Sequence, residues 1–264
     1  MPNVDIYLEV SRMDMQLKED FIRTWQKYFN NAELPITFYY TDKEGHADLV
    51  KSKSERLCIM GPLVKVRRGT SITFNAESGG CPGGTGCLGF SDGSIPGLES
   101  SFEYFLSYGI PGKVEGERFK KSPEIVKEQY DNAPVFTAPA KFAVFKPWDK
   151  LEATDNPQVV IFFTKPDALS GLYNLANFDT ADPDAVIAPW GSGCSSIIQD
   201  PYLENDSDNP RAVIGMFDTS ARPFVGTNEL TFSVPINKFV SMVRDMEESF
   251  LITRSWKAIQ ERIK

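Results

Sequence analysis

The sequence predicts an α+β protein built from two halves of similar strand and helix order that pack together. Apolar residues recur at four-residue spacing from Leu17 to Phe29, which predicts an amphipathic helix over about 13–30. Short runs rich in β-branched and aromatic residues, such as 36–41 and 158–164, predict strands. Glycine and proline clusters separate these segments, so helices and strands are mixed along the whole chain.

Further elements follow in the first half. The segment 56–68 is apolar and ends in basic residues before Gly69, which predicts a short helix with a glycine stop. Ser122 and Pro123 are typical of a helix N-cap and first helical position, and they predict a helix over 123–130. This half also has the patterns of a strand at 70–74 and a helix at 98–108.

The second half repeats this alternation. Its patterns predict strands at 141–146, 158–164, 211–217 and 229–234, and helices at 166–177 and 237–250. A short helical segment, 195–199, follows Cys194 directly.

The order of these elements suggests an internal repeat. Each half runs strand, loop, a cysteine at the head of a short helix broken by proline, strand, loop and helix, which makes Cys58 and Cys194 equivalent. We predict an N-terminal half at 1–133 and a C-terminal half at 134–264, divided within the proline-containing segment 131–139.

Composition narrows the classes of partner. The chain of 264 residues carries a net charge of −8 with few clustered cations, which argues against nucleic acid. It lacks a stretch of roughly 18 consecutive apolar residues, and the segment 1–20 is too polar for a signal peptide. We therefore expect a cytoplasmic protein that binds neither nucleic acid nor membrane.

The chain has too few histidines for most metal sites and catalytic triads. His46 is the only histidine and lies in a polar run, 41–48, that predicts a surface loop. Zinc sites with two or three histidines are excluded, and a nucleophile–histidine pair would have to use this residue.

Cysteine is the remaining candidate for chemistry. A chain without an export signal keeps its thiols reduced, which leaves metal ligation, thiol chemistry or plain burial. Cys58 and Cys194 would sit at helix starts, where the helix dipole stabilises thiolate. The predicted loop 79–89 holds six glycines together with Cys81 and Cys87. Four thiolates suit a [4Fe–4S] cluster or Zn²⁺, although the five-residue gap between Cys81 and Cys87 is wider than usual.

A second hypothesis gives the glycine-rich loop a function that involves no metal. Successive backbone N–H groups at Gly83 and Gly84 could cradle an anion, and Arg222 could bind a ligand carboxylate in the cleft between the halves. The loop matches neither G-x-G-x-x-G nor a phosphate-binding loop that ends in Lys-Ser/Thr. A non-catalytic module for a small anionic ligand therefore stays as an alternative.

Several short motifs carry a family resemblance. They are Cys58 before an apolar helix and Gly69, the runs 81–84 and 88–90, Trp190-Gly-Ser-Gly-Cys194, and Phe217-Asp-Thr-Ser-Ala-Arg-Pro223. Together they resemble the prokaryotic family called domain of unknown function 169, over about 34–250. The resemblance implies an uncharacterised cytoplasmic protein and supports Cys58, Cys81 and Cys194 as a set. Cys87 departs from the family pattern, which makes three ligands with an open coordination position a credible arrangement.

The leading hypothesis is that the chain is a metal or iron–sulfur binding protein. Its activity could be redox chemistry, and it would act with either a small molecule or a redox partner. The cofactor would be an iron–sulfur cluster or zinc. Cys58, Cys81 and Cys194 would be ligands, with Cys87 as a fourth ligand or neighbour. A thiol-dependent enzyme is a third hypothesis, and no catalytic residue is assigned.

Overall fold

A computed structural model describes residues 13–51, 58–78, 80–92, 102–133 and 136–263. Its described elements form a mixed eight-stranded sheet with helices on both faces, which confirms the α+β class. The helices are α1 (Met15–Phe29), α2 (Met60–Arg67), α3 (Pro82–Cys87), α4 (Phe102–Phe105), α5 (Pro123–Asp131), α6 (Pro166–Ala176), α7 (Gln199–Leu203), α8 (Ile236–Asp245) and α9 (Arg254–Gln260). The strands are β1 (Ile36–Thr41), β2 (Asp48–Leu49), β3 (Ile72–Phe74), β4 (Phe142–Pro147), β5 (Val159–Thr164), β6 (Val186–Ile187), β7 (Ala212–Gly215) and β8 (Leu230–Pro235).

The strand order is β2-β3-β4-β1-β5-β8-β7-β6. From the central β1–β5 pair outward, each half has two antiparallel neighbours and then a parallel pair at the edge, β2 with β3 and β6 with β7. Cys58 follows β2 and Cys194 follows β6, so the two cysteines occupy corresponding places in the connectivity. The internal repeat of the two halves stays a prediction.

The predicted boundary lies at residues 134 and 135, which are outside the described residues. Strand β4 comes after that point, yet it pairs with β1 and β3 of the first half. The strands on either side of the boundary therefore belong to one sheet.

Both faces of the sheet are covered, and strand β5 illustrates the consequence. Its six residues are all buried. Val160 and Phe162 face a core beneath α1, α6 and α8, whereas Ile161 and Phe163 face a second core that contains α2, Cys87 and Cys194. The cysteines thus lie on one face of the sheet, opposite the long amphipathic helices.

Most predicted elements are confirmed with shorter bounds. The helix predicted at 98–108 is α4, and 98–101 lie outside the described residues, as do 56 and 57 of the helix that became α2. Among the described helices, none is long and apolar enough to cross a membrane.

Candidate functional site

The prediction of a glycine-rich loop is wrong for residues 82–87, which form helix α3. Cys81 is its N-cap residue, and its Sγ accepts a hydrogen bond from the Gly84 N–H at 3.3 Å. Pro82 follows at the first helical position, where the missing N–H costs nothing. These two residues start a helix that glycine content alone argues against.

Cys58 lies just before α2, whose N-cap residue is Ile59. The Cys58 carbonyl oxygen accepts the Gly61 N–H at 3.0 Å, and the Met60 backbone N–H lowers the pKa of the Cys58 thiol. Gly84 of α3 packs against Ile59, so that a Cβ at Gly84 would lie 2.8 Å from Ile59 Cγ2 and 3.1 Å from Cys81 Sγ. The close contact of α3 with the start of α2 brings Cys81 beside Cys58.

Cys194 opens the 3-10 turn formed by residues 195–197 and is buried, with 5% of its surface exposed. The loop before it is held by Asp218, whose Oδ2 accepts the Gly193 N–H at 3.1 Å. In the same loop Ser192 Oγ lies 3.3 Å from Cys87 Sγ. This hydrogen bond joins the end of α3 to the loop that carries Cys194.

Three thiols influence one another's ionisation. Cys58 interacts with both Cys81 and Cys194. We call Cys58, Cys81 and Cys194 the thiol cluster. Cys58 and Cys81 are half-buried while Cys194 is buried, so the cluster reaches from the surface into the core. Cys87 is its neighbour through electrostatic interaction with Cys81 and Cys194.

The four thiols all favour their neutral form. The interaction with Cys194 raises the pKa of Cys58, and the interaction with Cys58 raises the pKa of Cys81. Burial raises the pKa of Cys87 to about 12. For Cys194 the interaction with Cys58 lowers the pKa, but burial and the nearby thiols outweigh it, so the pKa of Cys194 is raised overall. A nearby cation would reverse this preference, because an opposite charge stabilises thiolate.

The described residues contain no group of three or more His, Cys, Asp or Glu side chains that could hold a metal ion as they stand. The three thiols would therefore have to change their side-chain positions before they could share a ligand. All four cysteines are free of disulfide bonds, which leaves their sulfurs available for such a rearrangement.

Comparison with known families bears on these same segments. The model of domain of unknown function 169 (DUF169), described as uncharacterised ArCR, matches residues 26–245. The chain belongs to the DUF169 family. Comparisons with curated proteins and with solved structures gave no match.

The matched range includes all four cysteines of this DUF169 chain and every motif that carried the resemblance. The family description assigns no reaction, so the chemistry of the DUF169 site has to be argued from its side chains.

The residues predicted to hold an anion are placed differently in this DUF169 chain. Arg222 donates from Nη1 to the Glu229 carbonyl at 2.6 Å and from Nη2 to Gly226 and Thr227 at 3.1 and 3.2 Å. Its guanidinium thus braces its own loop. Gly84 is buried and its N–H is bonded to Cys81, whereas Gly83 is exposed. The prediction of an anion site at these residues gains no support from this geometry.

His46 is less exposed than a surface loop predicts, with 11% of its side chain accessible. Its Nδ1 lies 3.0 Å from Asp155 Oδ1, and Tyr39 Oη donates to the same carboxylate. Lys146 completes this buried polar group. Sequence reasoning missed it because its members are up to 116 residues apart.

Sequence reasoning also missed Ser192 and Asp200 as neighbours of the cysteines of this DUF169 chain. Burial raises the pKa of Asp200 to about 6, and its charge raises the pKa of Cys87 in turn. The serine of the Gly-Ser-Gly-Cys run was itself the available signal, since a hydroxyl near a cysteine can donate to sulfur.

Proposed function

We propose that this chain binds a thiophilic metal, as an iron–sulfur cluster or as zinc, through Cys58, Cys81 and Cys194. The observation that carries the proposal is the position of Cys58, whose thiol interacts with both other members of the thiol cluster. Soft thiolate ligands select iron–sulfur clusters and Zn²⁺ among the common metals. Three elements distant in sequence supply them, as is usual for a site assembled by folding.

The environment of the thiols favours metal binding over catalysis by a single thiol. A nucleophilic cysteine needs a lowered pKa, and the pKa values of all four thiols are raised. Metal ligands need no such activation beforehand, because the cation itself displaces the proton. The Gly84 N–H donates to the Cys81 sulfur and the Met60 N–H lowers the pKa of Cys58, so both would stabilise the thiolates.

Cys87 serves in this proposal as a fourth ligand or as a neighbour. It is buried and bonded to Ser192 Oγ, so ligation would require it to exchange that partner for the metal. With three ligands, one coordination position stays open for a substrate or for a small redox partner. Four free thiols suit a reducing compartment, and we place the protein in the cytoplasm on that basis.

The deciding experiment is metal analysis of protein purified without oxygen. We expect bound iron with acid-labile sulfide and a brown colour, or bound zinc in colourless protein. Cys58→Ser, Cys81→Ser and Cys194→Ser should each lower the metal content about tenfold or more, within the range for loss of a ligand-shell residue. Cys87→Ser is the internal comparison, since full occupancy in it indicates three protein ligands.

Urea unfolding of each variant separates loss of metal from loss of fold. Wild-type protein that stays free of metal, both as purified and after incubation with iron and sulfide or with Zn²⁺, would contradict the proposal.

A further inference from the structure

Trp190 is an exposed aromatic residue at the start of the loop that leads to Cys194 of the thiol cluster. The residue is 47% exposed, and Lys120 Nζ lies 3.7 Å from the centre of its ring. Phe119 packs edge-on against it, with ring centroids 6.3 Å apart. A tryptophan that is fixed from one side and open to solvent on the other is typical of the anchor residues of protein interfaces.

The segment that supports Trp190 is held in a defined shape. Backbone hydrogen bonds join Glu117 to Phe105 at 2.7 Å, Arg118 to Ser107 at 2.9 Å, and Lys120 to Leu106 at 3.0 Å. Arg118 adopts the left-handed conformation, with φ of 56°, which a non-glycine residue keeps only when its surroundings impose it. The backbone that carries these cations is therefore held in a fixed shape.

The segment that contacts Trp190 carries cations without acidic partners. Arg118 and Lys121 are exposed, and none of the ion pairs among the described residues involves Arg118, Lys120 or Lys121. The segment 113–121 has four cations against two carboxylates. Because the chain as a whole carries a charge of −8, this is a local reversal of sign.

Two loops connect these aromatics to the cysteines. Trp190 begins the loop whose Ser192 contacts Cys87 and which ends at Cys194. Phe217, which is 55% exposed, precedes Asp218, and the Asp218 carboxylate accepts the Gly193 N–H. Trp190 and Phe217 thus stand on two loops that are tied together next to Cys194. We call Arg118, Phe119, Lys120, Lys121, Trp190 and Phe217 the Trp190 face.

We propose that the Trp190 face docks the acidic surface of a small electron-carrier protein next to the thiol cluster. Small-molecule sites are concave and enclose their ligand, whereas two half-exposed aromatics suit a protein surface. An acidic carrier would be repelled by the molecule as a whole, so a local cationic patch is what would orient it. The choice of an electron carrier rests on the proposed metal site, whereas docking itself can be measured without it.

The test uses a purified acidic ferredoxin, labelled with a fluorophore, titrated with the full-length protein and followed by anisotropy. We expect binding that weakens about tenfold between low and near-physiological salt, as screened charges require. Lys120→Glu/Lys121→Glu should weaken binding about tenfold or more, while Lys43→Glu/Lys150→Glu, with the same change in charge at exposed positions, should stay within about twofold. Trp190→Ala is compared in the same way with Phe178→Ala, another exposed aromatic.

The outcomes separate this inference from the metal site, because metal content is measured in the same samples. Absence of ferredoxin binding at low salt overturns the docking inference, and so does equal weakening in the two charge variants. Docking that survives in metal-free protein supports the Trp190 face while it counts against the proposed function. Full metal content without docking counts against the Trp190 face alone.

Discussion

The Lys146 ammonium group lies 3.0 Å from each carboxylate oxygen of Asp155, and both side chains are almost fully buried. The carboxylate also accepts the Glu152 N–H at 2.8 Å and the Tyr39 hydroxyl. These donors offset the cost of placing a charge out of water. The backbone of Asp155 adds a further tie, since its carbonyl accepts the Met13 N–H at 2.7 Å.

Removing this carboxylate should destabilise the fold strongly. Asp155→Ala leaves the Lys146 charge buried without its partner, and we expect a loss of about 3–5 kcal/mol in the free energy of unfolding. Asp149→Ala, at an exposed carboxylate nearby, should change it by less than about 0.5 kcal/mol. Urea unfolding measures both. A loss below 1 kcal/mol in Asp155→Ala would show that solvent reaches the Lys146 charge.

The same carboxylate predicts a pH dependence of stability. Burial alone would raise the pKa of Asp155, but hydrogen bonds from Tyr39, Glu152 N–H, His46 and Lys146 lower it below its usual value. A lowered pKa stabilises the folded state above the unfolded pKa, about 4 for aspartate, and this contribution is lost as the pH falls further. Unfolding of the wild type between pH 7 and pH 3 should therefore show a steeper decline in stability than unfolding of Asp155→Asn. Parallel curves for the two proteins would refute this assignment.

Asp200 predicts a pH dependence of stability with the opposite sign. Burial raises its pKa to about 6, so the folded state binds the proton more tightly than the unfolded state does. Stability is therefore lost as the pH rises from about 4 to 6, and the loss is complete above that range. Asp200→Asn should stabilise the protein at pH 7.5 by about 1–3 kcal/mol and have little effect at pH 4. A stabilisation of equal size at both pH values would point to a cause other than this titration.

Two adjacent glycines of α3 provide a matched test of the thiol cluster. A Cβ at Gly84 would lie 2.8 Å from Ile59 and 3.1 Å from Cys81 Sγ, whereas a Cβ at Gly83 would meet nothing within 4 Å. Gly84→Ala should displace the Cys81 thiol and reduce metal content several-fold. Gly83→Ala should leave metal content unchanged and raise stability by up to about 1 kcal/mol through helix propensity. Equal metal content in the two variants would argue against Cys81 as a ligand.

Local sequence patterns predicted most strands and helices of this chain because their signals are short-range. The helix of α1 and the strand β1 follow directly from hydrophobic spacing and from β-branched and aromatic content. Helix α3 was missed for a local reason as well. All five residues at 83–87 are poor or indifferent helix formers, and the cap that starts the helix uses a sulfur atom, which capping rules based on oxygen do not include.

The candidate site was predictable only as a set of cysteines. Nothing in the spacing of Cys58, Cys81 and Cys194 shows that Cys58 interacts with both other thiols, since that depends on how the elements pack. For Arg222, residue type alone gave the wrong expectation of its partner. Its residue type suggested a ligand contact, but three carbonyls of its own loop accept its hydrogen bonds. Side-chain chemistry predicts what a residue can bind, and only the fold determines which partner is within reach.

The short outermost strands have a consequence for self-association. Strands β2 and β6 close the two ends of the sheet and contain only two residues each. A long, flat outer strand offers a row of free N–H and C=O groups to which a second chain can add, and such addition is a common route to aggregation. The sheet of this protein instead ends in a short strand on each side. Its longer, strongly apolar central strands are therefore not available for pairing with neighbouring molecules at high concentration.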